Sequence, residues 1–549
     1  MRATILLLAF SLLSVQALGQ DQLSRKDTAA ILFSNRISFS TDGQPVLSIR
    51  IMEDQKNIQF SSKTGLLVHP SGPGGPSVTL PGKRRWKATL SNSEPAKLAW
   101  RIVLGQGKTG DFAALKGIRD LWKKRGFKTT RVEMGTLFSF QGAILDTRET
   151  LVCTETMYTS RATALKEAGL LKQTYNADFP IQELLDSRPE GQITVRSLDG
   201  EATFTANNAL WFQPLGQDGL TVHDVEHARG FPWHGRQTRR YGGTFYVAAD
   251  KQGRLAIANV LPAEKLLNGL VPAEIFPDSP LDALKAQAVT ARGELLSKIG
   301  HRHLADPFVT CADQHCQVYK GLKAERARVS KAVAKTRGQV MFNEHGELAD
   351  ARYSSTCGGH TEDGFEAWPG VTSPSLKGRW DNSDNRAAHS RVSDDQVLHF
   401  LDHPPDSYCG RSPKAKRTFR WSKKIPARKL SKMVNEKHKV GSVTSIEVQH
   451  RGASGRANKI LIQGDKGRAT VHGELTIRRL FGSLKSSLFV LEKEMDSAGQ
   501  AKSWLFRGGG FGHGVGMCQI GATEMAKERM SFKDILRFYY TNINIKRIY

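Results

Sequence analysis

Five of the six cysteines lie beyond residue 300: Cys311, Cys316, Cys357, Cys409 and Cys518, with Cys153 standing apart. His303, His315 and His360 fall among them. Thiolate and imidazole are the usual ligands of zinc. His303, Cys311 and Cys316 are therefore the candidate metal set, and a zinc held there would be structural. The Cys311/Cys316 spacing also suits a short-loop disulfide, and both readings stand at this point. No His-Glu-x-x-His or comparable open ligand set is visible, which argues against a zinc hydrolase. The run Gly508-Gly509-Gly510-Phe511-Gly512-His513-Gly514-Val515-Gly516 invites comparison with a phosphate-binding loop. Ser503–Arg507 could serve as the preceding strand, but the Lys-Ser/Thr that such a loop requires does not follow. Glu274 lies in Val271-Pro272-Ala273-Glu274-Ile275-Phe276. Spacing alone makes it a solvated loop glutamate, although three apolar neighbours offer shielding.

The elements that must position these groups read clearly after residue 240. Thr244–Ala248 and Leu255–Val260 bracket the turn Asp250-Lys251-Gln252-Gly253. Val271–Asp278 reads as a loop. Ser279 then caps a helix with Pro280 at its first position and Asp282 reaching back. Leu281, Leu284, Ala288, Leu295 and Ile299 form its buried face, with Lys285 and Arg292 elsewhere on its surface. Tyr353–Thr356 reads as a strand ending at Gly358-Gly359, with Tyr353 and Ser355 on one face and Ser354 and Thr356 on the other.

The preceding half carries no catalytic signature. Ile31–Phe33, Val46–Ile49 and Gly65–Val68 read as short strands. Leu98–Leu104, a helix over Asp111–Arg125 and Thr129–Met134 form a βαβ unit, with Leu115, Ile118, Leu121 and Trp122 on the helix's apolar face. This unit resembles the sporulation-related (SPOR) repeat that binds peptidoglycan strands. Val195–Leu198 and Ala202–Thr205 flank a hairpin turn at Asp199-Gly200.

A chain of 549 residues with 39% hydrophobic and 24% charged residues is globular, not disordered. Its mean hydropathy of −0.39 excludes a polytopic membrane protein. The formal charge of +26, with a pI near 9.8, calls for an anionic partner. Met1-Arg2, the apolar stretch Ile5–Leu13 and Ala17-Leu18-Gly19 have the form of a signal peptide cleaved before Gln20. An exported protein with no stable membrane anchor is expected, periplasmic or extracellular at the cell wall. Nucleic acid is then not the partner, despite the charge.

The resemblance that joins these pieces runs in order through the second half. Its blocks are Leu270–Glu274 with Leu281–Arg292, Cys316–Gly321, Ala332-Val333 with Thr336–Gly338, Tyr353–Thr361, and Gly510–Ala522 followed by Ile535-Leu536 and Tyr539-Tyr540. Over about residues 241–549 the chain resembles the stage II sporulation protein D / amidase enhancer (SpoIID/LytB) family. The expected architecture is α+β, a SpoIID-like catalytic domain with long loops. The division is a signal peptide (1–19), a β-rich segment (20–95), a SPOR-like βαβ module (96–155), a β-rich connecting module (156–240) and the catalytic domain (241–549).

What the resemblance implies is a peptidoglycan lytic transglycosylase that cleaves glycan strands stripped of stem peptides. Glu274 matches the family's catalytic acid/base. Gln287, Arg292, Tyr353, Ser354, Ser355, Thr356, His513 and Gln519 become substrate contacts, with the glycine-rich loop bringing His513 close to a sugar. No cofactor is required for that chemistry, and some members hold zinc at a His/Cys cluster ahead of the Cys-Gln block. The basic charge fits independently, since stripping the peptides exposes lactyl carboxylates. The other reading is a non-catalytic, peptidoglycan-binding enhancer of an N-acetylmuramoyl-L-alanine amidase.

Overall fold

The structure, a computed structural model, describes residues 30–549 except 35–36, 71, 74, 141–142, 229–233, 314, 369, 372, 385–387 and 498. The signal-peptide reading lies outside the described residues. Thr244–Ala249 and Leu255–Pro262 are apolar on both faces, so they can only sit inside a sheet. Pro45–Gln55 pairs antiparallel with Leu255–Pro262, and Ala209–Pro214 pairs with Thr244–Ala249. Leu66–His69 and Val78–Leu80 continue that sheet. The second sheet has six strands in the order Thr203–Asn207, Glu190–Ser197, Arg85–Glu94, Asn57–Ser61, Leu220–His227 and Gly235–Tyr241. One core joins both sheets and the helices behind them, through residues such as Ile49, Trp86, Val195, Phe245 and Leu270.

That shared core overturns the expected division at residue 241. Residues 45–80 and 190–241 are not separate modules, because their strands belong either to the sheet that carries the hairpin Thr244–Pro262 or to the sheet that shares its core. Ile31–Phe33 is a turn, not a strand.

The βαβ unit is real but larger than residues 96–155. It interrupts the paired strands Arg85–Glu94 and Glu190–Ser197 as an insertion from Lys97 to Ser187. Its sheet runs in the order Ile181–Ser187, Lys97–Lys108, Glu149–Thr154, Thr129–Met134, with helices Phe112–Lys124 and Arg161–Tyr175. This is the split-βαβ topology. Asp111 caps the first helix by accepting from the Ala114 N–H at 3.0 Å. Leu115 and Trp122 are buried as expected, whereas Leu121 is exposed.

Behind the main sheet, the chain forms helices Ala263–Glu274 and Leu281–Ser297. The expected loop at Val271–Asp278 is helical as far as Glu274. Pro272 stands so near the C-terminus that the fully buried Leu266, Leu267, Leu270 and Val271 outweigh its missing N–H. Ile275 is extended and ends the helix. The second helix has Pro280, not Ser279, at its N-cap. Ser279 is buried with its hydroxyl 3.3 Å from that of Thr523, and Asp282 pairs with Lys285 rather than reaching back.

A further core occupies residues 421–506, built on the strands Arg420–Pro426, Ala501–Gly509 and Phe489–Met495 and a second three-stranded sheet, Val443–Arg451, Ala457–Gly464 and Gly467–His472. The 241–549 region therefore holds an inserted module within the expected single domain. The chain leaves and returns through two adjacent short strands, Tyr353–Ser354 and Met517–Cys518, paired in parallel. Helices Gln519–Lys527 and Phe532–Tyr539 then pack on Leu281–Ser297. Among the described residues, no helix is long and apolar enough to cross a membrane.

Candidate active site

Glu274 is the last residue of its helix, where the extended Ile275 turns the chain away. Its Oε1 accepts the Val318 N–H at 2.8 Å. Gln519, the first residue of its own helix, donates from Nε2 to the Glu274 carbonyl at 2.9 Å and to Gln287 Oε1 at 3.0 Å. Tyr353 reaches the same carboxyl with its hydroxyl, which also accepts from Gln317 Nε2 at 3.2 Å. Burial pushes the Glu274 carboxyl above its usual range, against the pull of the Val318 N–H, Lys298 and Tyr353. Burial and the Glu274 charge hold the Tyr353 phenol well above its ordinary value, so it remains a donor. The shielding does not come from Phe276, which is exposed and covered by Lys414 at 4.4 Å from its ring centre.

Glu294, one helix face away, is the residue that reading the sequence missed. Burial opposes its ionisation, but the charges of Lys298 and Arg352 outweigh it and hold the carboxyl below its ordinary range. Lys298 pairs with Glu294 and donates to the Cys316 carbonyl at 2.9 Å. Arg352 binds Asp350 at 2.8 Å and lies 4.8 Å from the Trp368 ring centre. Two neighbouring carboxyls are thus driven in opposite directions, one toward the neutral acid and one toward the ion. The signal available was the Glu294/Lys298 pair at i, i+4 on a helix read as having one buried face.

His513 packs on Trp368 with ring centres 4.8 Å apart. Its Nδ1 accepts the Val515 N–H at 3.0 Å, which leaves the proton on Nε2. Burial, and then Arg352, depress its pKa to about 3, so it is a neutral, orienting group and not a general acid. The loop around it needs glycine at two places above all. A Cβ at Gly514 (φ +83°) would lie 2.4 Å from Arg456 Cζ, and one at Gly516 (φ +68°) would meet the Arg352 carbonyl. Ser354 is buried with its hydroxyl unpartnered, and Thr356 is buried with its hydroxyl 3.0 Å from that of Thr418. Ser355 is half-buried on the Tyr353 face, as alternation predicts.

The fold brings Glu274, Gln287 and Gln519 together by direct hydrogen bonds, with the Tyr353 phenol beside the Glu274 carboxyl and His513 beside the Tyr353 backbone. It does not bring Arg292. That residue is not on the surface but wholly buried, where it chelates Glu264.

His303, Cys311, His315 and Cys316 each place a ligand atom within 4.8 Å of the others. Cys311 Sγ and Cys316 Sγ are 2.9 Å apart, and His303 Nε2 is 3.2 Å from Cys316 Sγ. Asp306 sits 2.9 Å from His303 Nδ1 and so fixes the orientation of that ring, with Nε2 turned to Cys316. With His315, the residues His303, Cys311 and Cys316 offer two thiols and two imidazoles, the donor types that zinc takes, although the two sulfurs stand nearer than the roughly 3.8 Å edge of a zinc tetrahedron.

Residues 251–343 match the family model for the stage II sporulation protein, and residues 362–516 match a domain of unknown function. The match to the stage II sporulation protein model is confined to residues 251–343. An uncharacterized protein of Brachyspira hyodysenteriae (strain ATCC 49526 / WA1) is 27% identical over 330 residues, 60% of this chain and 74% of that protein. The stage II sporulation protein D of Bacillus subtilis (strain 168) is 26% identical over 302 residues, 52% of this chain and 74% of that protein. The amidase enhancer of the same organism is 28% identical over 292 residues, but the match spans 50% of this chain and only 39% of the enhancer. The second matched region coincides with the inserted module that the core shows.

The raised carboxyl makes Glu274 a thermodynamic liability. A folded-state pKa above the unfolded one costs stability as pH rises, beginning at the ordinary glutamate pKa and complete above the raised value. Glu274→Gln is therefore expected to melt higher than the wild type at neutral and alkaline pH, with the difference closing below about pH 4. Melting temperatures of the two proteins across pH check this, and a difference independent of pH would oppose it.

Proposed function

We propose that this protein is a peptidoglycan lytic transglycosylase with Glu274 as its single acid/base. The observation that supports this best is the split between Glu274, pushed toward its neutral acid by burial, and Glu294, held as an ion by Lys298. The neutral acid donates its proton to the glycosidic oxygen as the bond to the anomeric carbon breaks. The carboxylate left behind takes the proton from the primary hydroxyl of muramic acid as that oxygen closes on the same carbon, giving an anhydro end. One carboxyl serves both transfers. Gln519 and Val318 fix the acid, the Tyr353 phenol stands beside it, and neutral His513 is available to orient sugar groups.

The charge of +26 favours strands whose lactyl carboxylates are exposed. The split-βαβ module at Lys97–Ser187 is proposed as a SPOR-like glycan anchor. Mass spectrometry of stripped glycan strands incubated with the pure protein tests the reading. Anhydro ends are expected, and reducing ends would mean hydrolysis. No products, together with stimulation of a wall amidase, would favour the enhancer reading that the name of one relative suggests.

The Cys₂His₂ cluster is proposed to hold structural zinc, with no open position for substrate. It lies two residues before Val318, whose N–H grips Glu274. Cys311→Ser/Cys316→Ser is expected to release one zinc per chain, by elemental analysis, and to slow cleavage by loosening that grip. A Cys311–Cys316 disulfide with no zinc would overturn this.

A further inference from the structure

A second set of ligands lies buried where the inserted module meets the catalytic helices. Cys357, Asp381, Cys409 and Cys518 each place one ligand atom within 4.8 Å of the others, and all four residues are wholly buried. We propose that these residues form a second zinc site, a closed Cys₃Asp tetrahedron that fastens the inserted module to the acid-bearing domain.

Three features beyond proximity carry this. First, the Cys357 and Cys409 sulfurs are 3.5 Å apart. The edge of a tetrahedron with Zn–S bonds of about 2.3 Å is roughly 3.8 Å, whereas a disulfide needs about 2.05 Å. Pairing any two of the three thiols would also strand the third beside a buried carboxyl. Second, the donors are arranged for anions. Cys518 Sγ accepts N–H groups from Cys357 at 3.2 Å and from Gly521 at 3.4 Å, at the start of helix Gln519–Lys527. A thiolate gains from such donors far more than a thiol. Third, the carboxylate is held in place by neighbouring donors. Asp381 Oδ1 accepts the Tyr539 hydroxyl at 2.7 Å, and Oδ2 accepts the Cys409 N–H at 2.9 Å. Gly521 is required for this packing, since a Cβ there would lie 2.7 Å from Asp381 Oδ1.

The ligands come from sequence positions as far apart as 357 and 518, so the set exists only when the inserted module has closed. Cys518 directly precedes Gln519, which holds the Glu274 carbonyl. A zinc here would couple closure of the module to placement of the acid.

Elemental analysis and zinc-edge X-ray absorption of the full chain test the proposal. In Cys311→Ser/Cys316→Ser, one zinc per chain should remain, bound by three sulfurs at about 2.3 Å and one oxygen at about 2.0 Å. Adding Cys518→Ser should remove it. Absence of zinc from the Cys311→Ser/Cys316→Ser protein would overturn the proposal. So would a disulfide among Cys357, Cys409 and Cys518 in a non-reduced peptide map of the wild-type chain, a measurement that does not depend on any variant folding.

Discussion

Glu274→Gln is expected to lower the rate of anhydro-end formation by about 10²–10⁴-fold while leaving the fold intact, the usual contribution of a positioned general acid/base. Glutamine keeps the shape and an oxygen that can accept the Val318 N–H, so the helix end and the Gln519 contact to the backbone should persist. Only the transferable proton is lost. Binding of stripped strands should survive in the variant, and should weaken with salt because exposed charges are screened beyond about 8–10 Å at physiological ionic strength. The wild-type rate should fall as pH rises through the raised Glu274 pKa, since the acid form begins the reaction. A variant that cleaves at the wild-type rate would move the chemistry to another residue. Loss of binding with no fall in melting temperature would make Glu274 a contact instead of a proton carrier.

How much of this was legible in the sequence varies with the range of the forces involved. The hairpin at Thr244–Pro262, the helix after Pro280 and the glycine loop were readable because their signals are local: alternation, proline at a helix start, glycine spacing. The membership of the strands at residues 45–80 and 190–241 was not, because strand pairing is set by partners some two hundred residues away and leaves no mark in either segment. The insertion at Lys97–Ser187 was half seen. Its first βαβ has an amphipathic helix, whereas the second helix, Arg161–Tyr175, buries only Ala164 and Ala168 and shows little pattern. At the site, Glu274 was found through its motif, but what raises its carboxyl, burial and the charge of Glu294 against the pull of Val318 and Tyr353, is set by groups that only folding brings near. Cys409 and Asp381 had no local signal, since no metal-ligand spacing links them to Cys357 or Cys518.

Arg292 shows why side-chain charge misleads when the helix face is misassigned. Read as a surface group and a substrate contact, it is instead enclosed by the core. Its Nε and Nη2 each bind one Glu264 oxygen at 2.8 Å, and Nη1 donates to the Gln339 carbonyl at 2.9 Å. Glu264 also accepts the Tyr549 hydroxyl at 2.8 Å. The bidentate geometry ties helix Ala263–Glu274 to helix Leu281–Ser297, the two elements that set the position of the acid. Arg292→Met would leave the Glu264 carboxylate buried without its cation, and removing one partner of a buried pair costs about 3–5 kcal/mol. Glu264→Met should cost a similar amount by stranding the guanidinium. The double replacement should recover much of the loss, because two apolar side chains of similar volume strand no charge. Urea unfolding of the four proteins measures this coupling, and binding of stripped glycan per folded molecule should be the same in all of them. If Arg292→Met instead keeps its stability and loses glycan binding, Arg292 is a sugar contact after all and the two helices are held together by their apolar faces alone.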